Sequence, residues 1–169
     1  LQLTYGLDHE REQDSQDGQF YDFTRFFTSN GLDYRETYSS SMGPDVKVSK
    51  TGAFLQGDYQ LTERLSLQAG VRRETIRNQV DDSIPYGEAV TAATVAGYQA
   101  RTLEGGNVRH SETLFNLGAV YELTDSQQLF ANFSQGFSLP DTQRMLRDVP
   151  ASFVIDSSSI DSIKVNNYE

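Results

Sequence analysis

Apolar residues recur at every second position in two stretches of the chain, a spacing that predicts strands with two unlike faces. From Thr51 to Thr75 the sequence reads TGAFLQGDYQLTERLSLQAGVRRET. Ala53, Leu55, Gly57 and Tyr59 alternate with Gly52, Phe54, Gln56 and Asp58. Leu65, Leu67, Ala69 and Val71 then alternate with Ser66, Gln68, Gly70 and Arg72. A reversal near Leu61–Arg64 makes this a tight antiparallel hairpin. The design returns at Ser111–Leu139, where Phe115, Leu117, Ala119 and Tyr121 share one face and Leu129, Ala131 and Phe133 resume it after a reversal near Thr124–Gln127. Both hairpins carry Tyr-x-Leu-Thr-[Glu/Asp], at Tyr59–Glu63 and Tyr121–Asp125, 62 residues apart. One hairpin plus one long connection is therefore the repeating unit.

Polar stretches separate these hairpins, at about residues 10–50, 77–110 and 140–162. Loops of that length are uncommon in compact soluble domains. Short turns at one end and long loops at the other are the habit of outer-membrane barrels. An opening strand at Leu1–His9 and a closing one at Ile163–Glu169 bring the expected number to six. The fold class expected is all-β: antiparallel, hairpin-connected strands forming a partial segment of a large transmembrane β-barrel. Six strands do not close such a barrel, for which about eight is the minimum. Residues 1–169 are thus expected to be part of one barrel domain, cut at both ends.

Composition agrees. Only 37% of the 169 residues are hydrophobic and mean hydropathy is −0.54, yet nine Tyr and ten Phe exclude a disordered chain. A net charge of −10 argues against nucleic acid, whose phosphates need a clustered basic surface. Without Cys there is no thiolate metal site, disulfide or Cys nucleophile. No run approaches the about 18 apolar residues of a spanning helix, which has no bearing on barrel strands.

The first hairpin, TGAFLQGDYQLTERLSLQAGVRRE, resembles barrel hairpins of TonB-dependent receptors, where Tyr-x-Leu-Thr turns into Leu-x-Leu-x-x-Gly-x-Arg. LFANFSQGFSLPD at Leu129–Asp141 is similar to the Ser-x-Gly-Phe-x-x-Pro stretch of that family. Asn166–Glu169 (NNYE) resembles the start of a later strand, and Thr4–Glu12 (TYGLDHERE) a strand rim. These pieces cover about half the chain; their order and spacing make the match specific. The resemblance implies a plugged barrel of about 22 strands in the bacterial cell outer membrane, powered through the TonB complex. It implies transport of a ferric siderophore, SQGFSLPDTQRMLRDVP looking most like siderophore receptors, with haem or another scarce solute as the alternative. Plug domain, TonB box and final barrel strands have no counterpart in these residues, so contact with TonB is expected through other parts of the receptor. Outer-membrane lipid and lipopolysaccharide are the remaining expected partners, and no cofactor is implied.

Candidate ligand residues lie in the long connections. QFYDFTRFF and the residues from there to Tyr38 supply Phe20, Tyr21, Phe23, Phe26, Phe27, Tyr34 and Tyr38. An apolar girdle, an extra strand pair above the membrane and a ligand-facing wall all fit this segment. Arg25, Arg35, Arg101, Arg109, Arg144 and Arg147 are loop or rim cations suited to an anionic chelate or to lipopolysaccharide phosphates. Combining aromatic area with charge selects Tyr21, Phe23, Arg25, Tyr34, Tyr98, Arg101, Arg109 and Arg144 as ligand-binding candidates. Arg72 is expected to point inward toward a lumen carboxylate or the plug, and Tyr59 and Tyr121 to anchor the barrel beside its short turns. His9 and His110 have no metal-ligand neighbour at suitable spacing; His110, at a rim, is the one candidate for haem. Asp14–Gly18 is similar to a calcium loop but lacks its closing Glu, and no metal site is expected. No catalytic motif stands out, so the chain is not expected to be an enzyme. A soluble β-sandwich carbohydrate-binding module is the alternative from another class, and an outer-membrane enzyme barrel a third.

Overall fold

The computed structural model describes residues 1–169, the side chains of Tyr38 and Ser40 excepted. Six strands form one antiparallel sheet: β1 (Gln2–Asp14), β4 (Val46–Thr62), β5 (Leu65–Val80), β6 (Gly106–Thr124), β7 (Gln127–Ser138) and β8 (Ile163–Tyr168). Each strand pairs with the next in that order, and the sheet is open at β1 and β8. A second, two-stranded sheet joins β2 (Asp17–Tyr21) to β3 (Glu36–Ser41) within the first long connection. Helices α1 (Phe23–Thr28), α2 (Tyr86–Thr94) and α3 (Thr142–Leu146) lie one in each long connection. No helix among the described residues is long and apolar enough to cross a membrane.

Both expected hairpins are present. β4 and β5 are joined through Glu63 and Arg64, β6 and β7 through Asp125 and Ser126, and each pairing slips by one residue just before its turn. Two correspondences differ from expectation. The strands are longer than the alternation indicates, β1 reaching Asp14 and β4 starting at Val46. The long connections also carry structure of their own; of the readings open for QFYDFTRFF, a strand pair forms, β2 leading through α1 to its partner β3.

The register shows why these ends escape the pattern. Near the tight turns, one face is apolar in successive rows: Leu65–Tyr121–Leu129, Tyr59–Leu67–Ala119–Ala131, Leu3–Gly57–Ala69–Leu117–Phe133–Tyr168 and Tyr5–Leu55–Val71–Phe115. Most of these side chains are exposed although apolar, Leu117 at 56%, and Leu65, Leu67, Ala119 and Phe133 are half-buried. The opposite face there carries Gln56, Asn116 and Ser134 in one row and Asp58, Gln68 and Asn132 in another. Toward the long connections the polarity reverses. Val46, Val48, Ile76, Val80 and Val108 alternate onto the face that was polar, while the formerly apolar face turns hydrophilic.

A row of His9, Thr51, Thr75 and Ser111 marks the change, with His9 Nδ1 2.8 Å from Thr51 Oγ1 and Thr75 Oγ1 2.8 Å from Ser111 Oγ. Beyond it lies the buried core. Val46, Val80 and Val108 pack with Leu103, Leu146, Ile155 and Ile160 of the second and third connections. Gly106 permits this approach, because a Cβ there would collide with the Ile155 carbonyl.

Candidate functional site

All three long connections meet over one end of the sheet, on the face that carries the core. The third, following β7, is bound down along its length. Asn78 Nδ2 donates to Thr142 Oγ1 at 2.6 Å, Gln143 Nε2 to the Pro44 carbonyl at 3.3 Å, and the Arg109 amide to Ser157 Oγ at 2.8 Å. His110 Nε2 lies 2.8 Å from the Ile160 carbonyl, so that nitrogen carries its proton and is committed to the loop.

Tyr86 is the junction of the three. Its ring stacks at 5.9 Å on Phe20 of the first connection, and the Arg147 guanidinium of the third lies 5.2 Å over its centroid. The Tyr86 amide donates to the Arg147 carbonyl.

Between this cap and the sheet lies a cleft of about 440 Å³, a size suited to a small ligand. Glu12, Lys50, Glu74, Asn78 and Phe137 line its strand side, and Pro140, Thr142 and Gln143 its loop side. Asn78 is 3% exposed, and its Oδ1 has no hydrogen-bond partner among the described residues. Below the cleft, Arg72 donates to both Asp8 oxygens at 2.7 and 2.8 Å and to Glu74 at 2.6 Å. Its guanidinium lies against the backbone of Gly52, where any Cβ would displace it. The inward carboxylate partner expected for Arg72 is therefore present twice.

The eight sequence candidates fall into separate groups. Tyr21 and Tyr34 meet edge to face at 5.6 Å, and Phe26 packs 5.1 Å from Tyr34. Arg25 lies on the same unit, 3.9 Å from Asp22 and 3.5 Å from Asp33, and Phe23 is exposed beside it. The side chain of Tyr38 is outside the described residues. Tyr98 and Arg101 converge on Glu88: the tyrosine hydroxyl donates at 2.6 Å and the Arg101 guanidinium at 2.5 and 3.0 Å. The Arg101 hydrogen bonds, reinforced by Tyr98, hold the Glu88 carboxyl down at about 2, and the same carboxylate raises the Tyr98 hydroxyl. Arg144 stands exposed on α3, whose N-terminus Asp141 caps. Arg109 belongs to none of these groups. It occupies the outer face of β6, opposite Arg77 and away from the cleft.

Sequence reasoning missed Tyr86, Glu88 and Asn78. Glu88 carried one signal, an acidic residue in the first turn of a short helix. Tyr86 and Asn78 carried none, because their roles depend on which loops meet.

A sheet with one apolar, exposed face, two-residue turns at one end and long folded loops at the other is a wall of a membrane-spanning β-barrel. The family described as TonB dependent receptor-like, beta-barrel, matches residues 1–169, and the chain belongs to that family. Family members are outer-membrane β-barrels that act as transport receptors. Similar proteins include the rhizobactin receptor of Rhizobium meliloti (strain 1021), 32% identical across 100% of this chain and 24% of the relative. The ferric aerobactin receptors of Klebsiella pneumoniae and Escherichia coli are each 30% identical over 99% of the chain, which covers 25% and 24% of them. The chain thus spans about a quarter of the length of these relatives. No solved structure gives a significant match.

Proposed function

We propose that this chain supplies wall strands and extracellular loops to an outer-membrane receptor that carries a ferric siderophore into the periplasm, driven by the TonB complex acting on other parts of the receptor. The observation carrying this reading is the loop cap, bound down over the inward face of the sheet and leaving a cleft beneath it. A solute entering the lumen meets that cap first. Relatives named for rhizobactin and ferric aerobactin point to an iron chelate as the solute.

The wall facing the lumen is rich in carboxylates, with Asp8, Glu10, Glu12, Glu74 and Glu112 alternating inward. An anionic chelate needs cations, and here they come from the cap. Arg25, Arg101 and Arg144 supply charge, while Tyr21, Phe23, Tyr34 and Tyr98 supply aromatic area.

The test is equilibrium binding of ferric aerobactin and of haem to the full-length receptor and its variants. Arg144→Ala and the pair Tyr21→Ala/Tyr34→Ala are expected to weaken ferric aerobactin, each desolvated Arg contact being worth about 1.5–3 kcal/mol. Wild-type affinity in every loop variant overturns the assignment. Haem binding that collapses with His110→Ala replaces the siderophore by haem.

A further inference from the structure

The cap supplies cations, but the cleft beneath it is acidic. Glu12, Asp14, Glu74 and Asp141 line it against one cation, Lys50. Arg72 satisfies Glu74 from below, and Lys50 is shared by Glu10 at 3.5 Å and Glu12 at 3.7 Å. Asp14 and Asp141 enter no ion pair among the described residues. Arg25, Arg101 and Arg144, the cations assigned to the chelate, do not line the cleft. An anion gains nothing inside it; a cation does.

Asn78 shows where one end of such a cation would sit. The residue is 3% exposed and lines the cleft. Its Nδ2 donates to Thr142 Oγ1 at 2.6 Å, and that hydroxyl gives its one proton to the Pro140 carbonyl at 3.3 Å. Thr142 therefore has no donor left for Asn78 Oδ1, which has no partner among the described residues. A buried amide oxygen without a donor is costly, and buried polar atoms in folded proteins are nearly always paired. A ligand N–H at the floor of the cleft supplies what is missing.

The register sets the shape of that ligand. Glu12, Val48 and Asn78 form one inward row across β1, β4 and β5. The two acceptors are thus two strand spacings apart, about 10 Å between backbones, with an apolar residue between them. Val46 and Ile76, buried at 2% and 3%, extend the apolar floor beside Val48 and Asn78. Asp14 adds a second carboxylate at the β1 end. Acceptor, hydrocarbon, acceptor is the complement of a linear alkane with an ammonium at each end. We propose that the cleft binds a short aliphatic diamine, one ammonium donating to Asn78 Oδ1 and the other to Glu12 and Asp14. Its methylenes lie over Val48, as the stem of a lysine lies on apolar surface. This site rests on the cap and cleft described above, and it is separate from the cap cations proposed to hold the chelate.

The experiment measures equilibrium binding to the full-length receptor in detergent micelles. The probes are 1,5-diaminopentane, its mono-N-acetyl form and 1,2-diaminoethane, each with and without ferric aerobactin. Asn78→Leu is expected to weaken 1,5-diaminopentane about thirtyfold, the weight of one hydrogen bond between a charged donor and a buried acceptor. Asn78→Asp retains the affinity, because its carboxylate accepts from the ammonium and from the Thr142 hydroxyl alike; this separates a lost acceptor from a lost fold. Glu12→Gln/Asp14→Asn, at the more exposed end, is expected to cost about fivefold. The mono-acetyl form, with one charge, and 1,2-diaminoethane, too short to reach both ends, bind wild type about tenfold more weakly. Ferric aerobactin leaves the diamine bound. Wild-type affinity in Asn78→Leu overturns the site, as does equal affinity for the long and short diamines or for the acetylated and free forms. Displacement of the diamine by ferric aerobactin overturns its separation from the chelate. A receptor that binds ferric aerobactin and no diamine defeats this inference alone; one that binds the diamine and not ferric aerobactin defeats the siderophore reading alone.

Discussion

The two halves of the six-stranded sheet are built on opposite principles. In the half near the tight turns, Leu55, Leu67, Phe115 and Leu117 face out and Gln56, Gln68 and Asn116 face in. In the half near the long connections, Arg77 and Arg109 face out, and Val46, Val80 and Val108 are buried under the loops. The first half holds its shape through the backbone ladder, its apolar face left largely uncovered by the rest of the chain. The second packs as a water-soluble protein does, around side chains such as Leu103 and Leu146 that are fully buried. One strand therefore carries two patterns, which reverse at the row of His9, Thr51, Thr75 and Ser111.

The largest expected effect lies in the loop half. Leu103→Ala and Leu146→Ala each remove a fully buried side chain and are expected to cost about 2–5 kcal/mol. Hydrogen exchange in the full receptor reads this as lost protection over residues 139–162, with the tight-turn ends of the strands unaffected. Uniform loss along the strands would join the two halves into one folding unit.

Slightly smaller is the effect of Leu67→Arg or Leu117→Arg, expected to cost about 2–4 kcal/mol near the bilayer midplane. Gln68→Arg, on the other face, is expected to cost far less. Reversible unfolding in vesicles measures all three, and equal costs would break the face assignment.

At the boundary, Arg72→Met leaves Asp8 and Glu74 without their shared cation. The expected loss is about 1–3 kcal/mol, moderated because these groups are only partly buried. Gly52→Ala displaces the same guanidinium, so the double variant is expected to lose less than the two single losses combined. Strict additivity would separate the glycine from the ion pair.

The smallest effect concerns Glu88, whose carboxyl falls from an ordinary 4.5 to about 2. A depressed folded value stabilises the loop above about pH 4.5 and loses that contribution as pH falls through about 2. Carboxyl-carbon NMR of the receptor is expected to place the Glu88 midpoint near the lower value. Arg101→Gln returns it toward the upper one.

The lower half was legible in the sequence because its amphipathic alternation runs from Leu55 to Tyr59 and from Leu65 to Val71. Even the inward aim of Arg72 followed from counting by twos. The upper half was not, since Val46, Val48 and Val80 are out of phase with that alternation and read as loop. Contacts among connections were further from view. Nothing local says that Phe20, Tyr86 and Arg147 will meet, or that Thr142 will reach Asn78. Of the candidates chosen by residue type, Tyr21 with Tyr34 and Tyr98 with Arg101 came together. Arg109 lies on the outer wall because its face, rather than its chemistry, decides where it acts.

The excursion that carries β2, α1 and β3 has a practical consequence. It is tied back to the rest mainly at its root, through Phe20 on Tyr86, and at its tip Asn30 and Gly31 turn the chain with φ of 51° and 80°. Leu32, just beyond, is 87% exposed. In the orientation proposed above, a short epitope or a fluorophore-bearing cysteine placed after Leu32 would project from the bacterial surface. Intact cells could then be labelled or sorted by this receptor without disturbing the strands that hold it in the membrane.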